Sequence, residues 1–367
     1  AGSGFQGPVH YVNLRHESVA GQVVHRSLAE LPSPPDLAVI VTPAATVPGI
    51  VEDCGRLGVP AAVIVSAGFG EDGSAGLELE AEVRRRARAH GLRYLGPASL
   101  GVMRSDRRLN ASCGPRPTLP GRLALVSQSG AICAAILDWA HTRRVGFSTV
   151  ISTGLGADVE FGEILDFLAR DPATDSIMLY VEGVGDARRF MSALRAVARV
   201  KPVVVMKPGR HATDSDPDAA FHTGAMVGGD DVFDAAMRRA GVLRIRDFSE
   251  LYTAAATLGA GVRVASRRLG IVSNAGGPGA IAVDRAEDRW LPLATLGAAS
   301  LGQLRELLPR FDAPGNPVYL RADAGAAHYA AAAEICLQDP GVDVVLAILV
   351  PHALTEPDMI AQALLEI

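Results

Sequence analysis

Arg122-Leu-Ala-Leu-Val-Ser-Gln-Ser-Gly-Ala131 and Arg268-Leu-Gly-Ile-Val-Ser-Asn-Ala-Gly-Gly277 follow one pattern. Each has an apolar run, a serine, an amide side chain and a glycine turn, and each then enters an Ala-rich helix. An apolar run without polar alternation fits a strand buried on both faces, and therefore a parallel sheet flanked by helices. The pattern recurs after about 146 residues, which predicts two duplicated α/β domains.

Similar runs lie at residues 37–41, 61–65, 123–126, 147–151, 177–181, 203–206, 269–272 and 344–350. Between them, 77–90 and 186–199 carry Arg and Glu on one side and Ala, Leu and Val on the other, as crossover helices do. Gly- and Pro-rich stretches at 114–121 and 259–267 read as linkers. Three domains are expected, at 1–117, 121–262 and 267–367. Both ends read as cut: 4–13 looks like a second strand with no Gly-rich first βα turn before it, and the last domain stops in a helix at 356–367.

Composition excludes several classes. With 35 basic and 40 acidic residues in 367, the net charge is −5 and the arginines are scattered, so no polybasic surface for nucleic acid or membrane is expected. The longest apolar runs fall far short of the roughly 18 residues that span a bilayer. No signal peptide opens the sequence, and a cytoplasmic location is expected. The four cysteines form no CxxC pair and have no local His cluster, so no metal site is expected.

Three segments offer chemistry. In Ser127-Gln128-Ser129-Gly130-Ala131, small residues let the backbone approach an anion, and the amides at a helix start face it. The competing reading is a tight turn capped by Ser129. His222, in Phe221-His-Thr-Gly-Ala-Met-Val-Gly-Gly229, sits among small residues and is either an exposed surface group or a nucleophile able to carry a phosphoryl group. Glu182 ends the run at 177–181, where parallel sheets bind ligands; it either orients a histidine or caps the loop 183–185. In the first domain, the turns after Val41, after Val65 and at Gly96-Pro-Ala-Ser-Leu-Gly101 share one sheet edge and make a crevice for an extended ligand.

Taken in order, Thr42-Pro43, Ser66-Ala-Gly-Phe, Gly96-Pro97, Ser127-Gln-Ser-Gly-Ala131, Leu179-Tyr-Val-Glu182-Gly and His222-Thr-Gly-Ala resemble the NDP-forming acyl-CoA synthetases, the ADP-forming acetate–CoA ligases and succinyl-CoA synthetases. Ile136-Leu-Asp-Trp-Ala140 and Asp186-Ala-Arg-Arg-Phe-Met-Ser192 are most similar to one branch, the Pat-type protein lysine acetyltransferases, where such a region is fused to a GNAT domain. The resemblance implies a Rossmann-like CoA-binding domain followed by two flavodoxin-like domains. It makes His222 the phosphate carrier and Glu182 its partner, with Ser127, Gln128, Ser129, Gly130 and Ala131 cradling phosphate. Arg15, Thr42, Pro43, Val65, Ser66 and Ala67 match positions that line the CoA or acyl-CoA site. ATP, ADP and Mg would be handled by an ATP-grasp domain or subunit outside this chain, within a homo- or hetero-oligomer.

This sequence departs from the family pattern at Leu14 (usually Pro), Ala98 (usually Asn), Phe221 (usually Ser) and Tyr319 (usually Asp). Two readings stand: a ligase module turning over through phosphohistidine, and an acyl-CoA-sensing region of an acetyltransferase. A third is a doubly wound domain for an unrelated nucleotide.

Overall fold

The apolar runs fold as strands. The computed structural model describes residues 4–19, 21–114, 116–209, 230–261, 264, 266–309, 314–353 and 355–367. Contacts divide the chain into two compact units, Ala1–Gly261 and Val262–Ile367.

The first unit opens with a small sheet of β1 (Tyr11–Val12), β2 (Ser18–Val19) and β3 (Gln22–His25). Then come β4 (Ala38–Ile40), α1 (Val47–Arg56), β5 (Ala61–Ile64), α2 (Gly73–His90) and β6 (Arg93–Leu95). The last three of these strands pair in parallel, in the order β4-β5-β6. Ile40, Val47, Val51, Ile64, Val83 and Tyr94 are buried together in the core beneath them.

A seven-stranded sheet follows. Its strands are β7 (Gly101–Arg104), β8 (Leu109–Ser112), β9 (Pro120–Ser127), β10 (Phe147–Ser152), β11 (Ser176–Tyr180), β12 (Val203–Met206) and β13 (Leu243–Ile245), ordered β13-β12-β11-β9-β10-β7-β8. Five of them run parallel, with crossover helices α3 (Gly130–Arg143), α4 (Phe161–Arg170), α5 (Ala187–Ala198) and α6 (Asp230–Ala240), while α7 (Phe248–Gly259) follows β13. Alternation along the strands divides the core. Ala124 and Val126 of β9 join Ile177 and Leu179 under α4, α5 and α6. Leu123 and Leu125 turn the other way, with Met178 and Tyr180, against α3 and α7. Each fully buried aliphatic side chain contributes roughly 1.5–3 kcal/mol, which is why a strand with no polar alternation belongs in the middle of the sheet.

Two features were not in the sequence reading. The hairpin β7–β8 adds an antiparallel edge to the parallel strands through β7 and β10. Its members, Gly-Val-Met-Arg and Leu-Asn-Ala-Ser, mix polar and apolar residues and lack the continuous apolar signature. In addition, β9 begins at Pro120, inside the stretch read as a linker.

The second unit repeats the motif with β14 (Leu269–Ser273), α8 (Gly276–Asp288), α9 (Ala298–Leu307), β15 (Val318–Tyr319), α10 (Ala326–Gln338), β16 (Val344–Ile348) and α11 (Pro357–Leu365). Its sheet is parallel, ordered β15-β14-β16. Asn316 buckles it: its Oδ1 accepts from the Ile271 N–H at 2.9 Å, and its Nδ2 donates to the carbonyls of Leu269 (2.7 Å) and Ala294 (2.9 Å). The Tyr319 ring lies on α8, where a Cβ at Gly279 would stand 2.7 Å from it.

One buried ionic group ties the antiparallel edge to the parallel sheet. Arg104 of β7 donates two hydrogen bonds, each of 2.7 Å, to the Asp171 carboxylate, which also accepts from the Thr174 hydroxyl at 2.6 Å. Burial opposes ionisation of Asp171, but Arg104, Thr174 and the Ala173 N–H outweigh it and hold its pKa down to about 2. A carboxylate depressed by folding stabilises above its unfolded value and loses that contribution as pH falls through its folded value. Asp171→Asn is therefore expected to cost about 2 kcal/mol in denaturant unfolding at pH 7. Its deficit against wild type should shrink as pH is lowered from 4 towards 2; a deficit independent of pH would show that charge is not what Asp171 supplies.

Candidate functional site

Three loops leave the C-terminal edge of the first parallel sheet: Thr42-Pro43 after β4, Val65-Ser66-Ala67 after β5 and Gly96-Pro97-Ala98 after β6. They are joined by backbone hydrogen bonds, Val65 N–H to Ile40 carbonyl (2.9 Å) and Ala98 N–H to Ser66 carbonyl (3.0 Å). The three turns expected to share one sheet edge thus leave adjacent strands and are hydrogen-bonded to one another. Among them Ser66 is buried, and its hydroxyl has no partner among the described residues. Glu71 accepts from the Gly68 N–H at 2.8 Å through Oε1, while its buried Oε2 has none. A buried polar atom left unpaired costs roughly 1–3 kcal/mol, and these two oxygens would be relieved by hydrogen-bonding groups brought to them. Arg15 is different. It lies exposed between β1 and β2, and no hydrogen bond or ion pair joins its side chain to these loops among the described residues.

A second group of loops leaves the C-terminal edge of the seven-stranded sheet. The turn after β9 satisfies most of its own polar groups. Ser127 Oγ donates to the Ser129 carbonyl (2.9 Å) and accepts from the Ser129 N–H (3.1 Å), and Ser129 Oγ caps α3 by accepting from the Ile132 N–H (3.3 Å). The capping reading of Ser129 therefore holds, and it leaves the Gly130 and Ala131 amides with no hydrogen-bond partner among the described residues. Two free amides thus stand at the start of a 14-residue helix, the kind of place that can accept an anion.

Gln128 links this turn to Glu182. Its Oε1 accepts from the backbone N–H of Glu182 (2.6 Å) and of Gly183 (2.9 Å), and its own N–H donates to the Tyr180 carbonyl (3.2 Å). Burial, with the neighbouring Glu182 carboxylate, pushes the Tyr180 phenol up to about 12, so it stays protonated beside the turn at neutral pH. A cleft of about 120 Å³ opens among Gln128, Thr153, Glu160, Phe161, Gly183 and Gly185. His222 lies outside the described residues.

The two groups of loops are strapped together. Gly96 N–H donates to the Thr153 carbonyl (3.1 Å), Leu155 N–H to the Pro97 carbonyl (3.0 Å) and Ala157 N–H to the Gly96 carbonyl (3.2 Å). Ser99 Oγ donates to the Ser152 carbonyl (2.6 Å). Only glycine fits at 154, where φ is +57° and a Cβ would stand 2.0 Å from the Pro97 carbonyl oxygen. Neither this strap nor Glu160 was picked out from the sequence. The available signal was Thr153-Gly-Leu-Gly156 directly after a buried strand.

In the second unit the corresponding turn is built the same way. Ser273 Oγ donates to the Ala275 carbonyl (2.9 Å) and accepts its N–H (3.2 Å), and Asn274 Oδ1 accepts from the Val350 N–H (2.8 Å).

Comparison with known proteins places this geometry. Residues 120–258 match the succinyl-CoA ligase like flavodoxin domain, and residues 3–105 the CoA binding domain. The chain is 39% identical over 349 residues to acetate–CoA ligase (ADP-forming) I of Archaeoglobus fulgidus, covering 95% of this chain and 50% of that protein. It is 36% identical over 363 residues to the alpha subunit of acetate–CoA ligase (ADP-forming) I of Pyrococcus furiosus, covering 98% of this chain and 78% of that subunit. It superposes with a TM-score of 0.93, at 31% identity, on the dinucleotide forming acetyl-coenzyme A synthetase 1 of Ca. Korarchaeum cryptofilum in complex with phosphate and ADP, over 99% of this chain and 78% of that one. The chain thus spans half of the Archaeoglobus protein and about three quarters of the other two.

Ala98 has φ +55°, a left-handed conformation that asparagine tolerates better than alanine. Ala98→Asn is expected to raise stability by about 0.5–1 kcal/mol, read as an increased denaturation midpoint at unchanged m-value. A fall in midpoint would show that the crevice rejects the larger side chain.

Proposed function

Since the chain belongs to the ADP-forming acetate–CoA ligase family, in the form of its alpha subunits, we propose that it is the CoA-handling and phosphoryl-carrying module of an acyl-CoA synthetase. The observation that carries this reading is the junction at Gln128, which brings two open helix amides and the loop of Glu182 to one place, with the CoA-side loops strapped alongside.

Thr42, Pro43, Val65, Ser66 and Ala67 would hold CoA in the first crevice, with the orphan Ser66 hydroxyl donating to or accepting from it, and Arg15 would reach a phosphate from the exposed loop. A phosphate oxygen attacks the thioester carbonyl, the C–S bond breaks and CoA leaves as thiolate. The acyl phosphate then passes its phosphoryl group to an imidazole nitrogen of His222, and the carboxylate departs. The Gly130 and Ala131 amides hold the phosphoryl oxygens, with the positive end of α3 behind them. Glu182 accepts the other imidazole N–H and stabilises the cationic ring as the N–P bond forms. ADP would take the phosphoryl group on an ATP-grasp partner that supplies Mg, either fused or as a separate subunit; the Pyrococcus furiosus relative carries the name of an alpha subunit. The three-domain division at 1–117, 121–262 and 267–367 belongs to this proposal, as does a cytoplasmic location. The acyl-CoA-sensing alternative is not favoured, because the relatives matched along nearly the whole chain are ligases.

Two experiments test the reading. Full-length protein incubated with acetyl-CoA and labelled phosphate should acquire a label that survives base and is lost in acid. His222→Ala should abolish it, and Glu182→Gln should slow it by about 10²–10³-fold, typical of losing a positioned polar partner. A label that persists in His222→Ala places the carrier elsewhere. Separately, calorimetry should detect CoA binding, and Ser66→Val, which fills the crevice, should weaken it at least about tenfold by leaving ligand groups unpaired. Unaltered affinity would move the CoA site away from this crevice.

A further inference from the structure

We infer that the side chain of Gln128 is a positioning residue for Glu182 rather than a phosphate ligand: it buckles the acid's loop onto the anion-facing turn. The inference rests on the proposed phosphohistidine chemistry and adds to it how the acid is held.

The oxygen of Gln128 is committed to the protein backbone. It already accepts two backbone N–H groups, at 2.6 and 2.9 Å, from the peptides of Glu182 and Gly183. Those peptides follow β11, and nothing in the ladder beyond Tyr180 fixes them to β9. The Val181 N–H donates to the Met206 carbonyl of β12 (2.9 Å), and beyond it the buckle joins the Glu182 and Gly183 peptides to the same turn that presents the Gly130 and Ala131 amides. A shift of about 1 Å in a catalytic group is enough to cost about 10²-fold in rate.

The repeated unit supplies an internal comparison. Asn274, in the equivalent place, also accepts from the chain two residues beyond the neighbouring strand, Val350 after β16. Its Nδ2, however, is spent on the carbonyls of Val350 (3.0 Å) and Ala322 (3.4 Å). The Nε2 of Gln128 donates to no group among the described residues, and the residue lines the 120 Å³ cleft. One copy is closed on itself. The other keeps its acceptor for the loop and leaves its donor unspent among the described residues.

The test separates the buckle from the chemistry. Gln128→Leu removes the acceptor at similar size, while Gln128→Glu keeps an oxygen for both amides, loses the donor and adds a negative charge. Amide hydrogen exchange of Glu182 and Gly183 in the full-length protein should accelerate about 10–100-fold in Gln128→Leu and stay near wild type in Gln128→Glu. Histidine labelling from acetyl-CoA and phosphate should fall about 10–100-fold in Gln128→Leu, with CoA affinity unchanged, and Gln128→Glu should restore part of it. Gln128→Leu combined with Glu182→Gln should be no slower than Glu182→Gln alone, since both act through one group. Unchanged exchange in Gln128→Leu, or rate losses that multiply in the double variant, overturns the buckle. Intact exchange behaviour with no label in wild type instead overturns the phosphohistidine reading, and with it the catalytic meaning of the buckle.

Discussion

Three backbone hydrogen bonds between residues 96–97 and 153–157 hold the candidate site together. They are short-range and directional, and they lie where two separate sheets end. Because β4, β5 and β6 in one sheet and β9, β10 and β11 in the other run parallel, the loops that follow them lie at one edge of each sheet, and the strap brings those edges side by side. The strap, with Ser99 on the Ser152 carbonyl and Gly154 beneath the Pro97 carbonyl, works together with Arg93 on Asp158 and Glu163, the Tyr94 N–H on Asp158, and Leu155 and Ala157 packed on the first core to fix the loops of one sheet against the turn of the other. The proposed acyl transfer between a bound thioester and a phosphate would depend on that spacing, since misplaced reacting groups cost rate steeply.

Much of the fold was legible because buried parallel strands announce themselves. Residues 123–126, 177–181 and 203–206 contain nothing that water would favour, and all lie in or directly beyond central strands. The two Ser-amide-small turns were legible for the same reason, since they directly follow such strands. The hairpin at 101–112 was not. Its residues alternate weakly, and its pairing with β10 is a tertiary contact with no local trace. Glu182 and the turn at 127–131 were legible as separate features. That they meet through the Gln128 side chain could not be read, because an amide side chain states nothing about which of many backbone groups it will accept.

The two copies of the turn show how one local rule is put to two uses. A serine whose hydroxyl both donates and accepts closes the backbone on itself, and it does so identically at 127 and 273. The following amide then reaches the neighbouring strand's exit. Gln is one methylene longer than Asn, and in this chain the longer arm holds two consecutive peptides where the shorter one holds a single N–H. Stability demands only that the exit be held. The extra reach, and the donor left over, belong to the copy that carries Glu182.

The contact between Tyr319 and Gly279 limits the order in which this sequence can change. With the tyrosine ring 2.7 Å from where a Cβ would stand, any side chain introduced at 279 obliges the ring to move. The two positions are therefore coupled: a side chain at 279 is accommodated only with a smaller residue at 319 or with the ring displaced, so the effects of changing them do not add. Replacing Tyr319 first opens the space on α8, whereas replacing Gly279 first meets the ring.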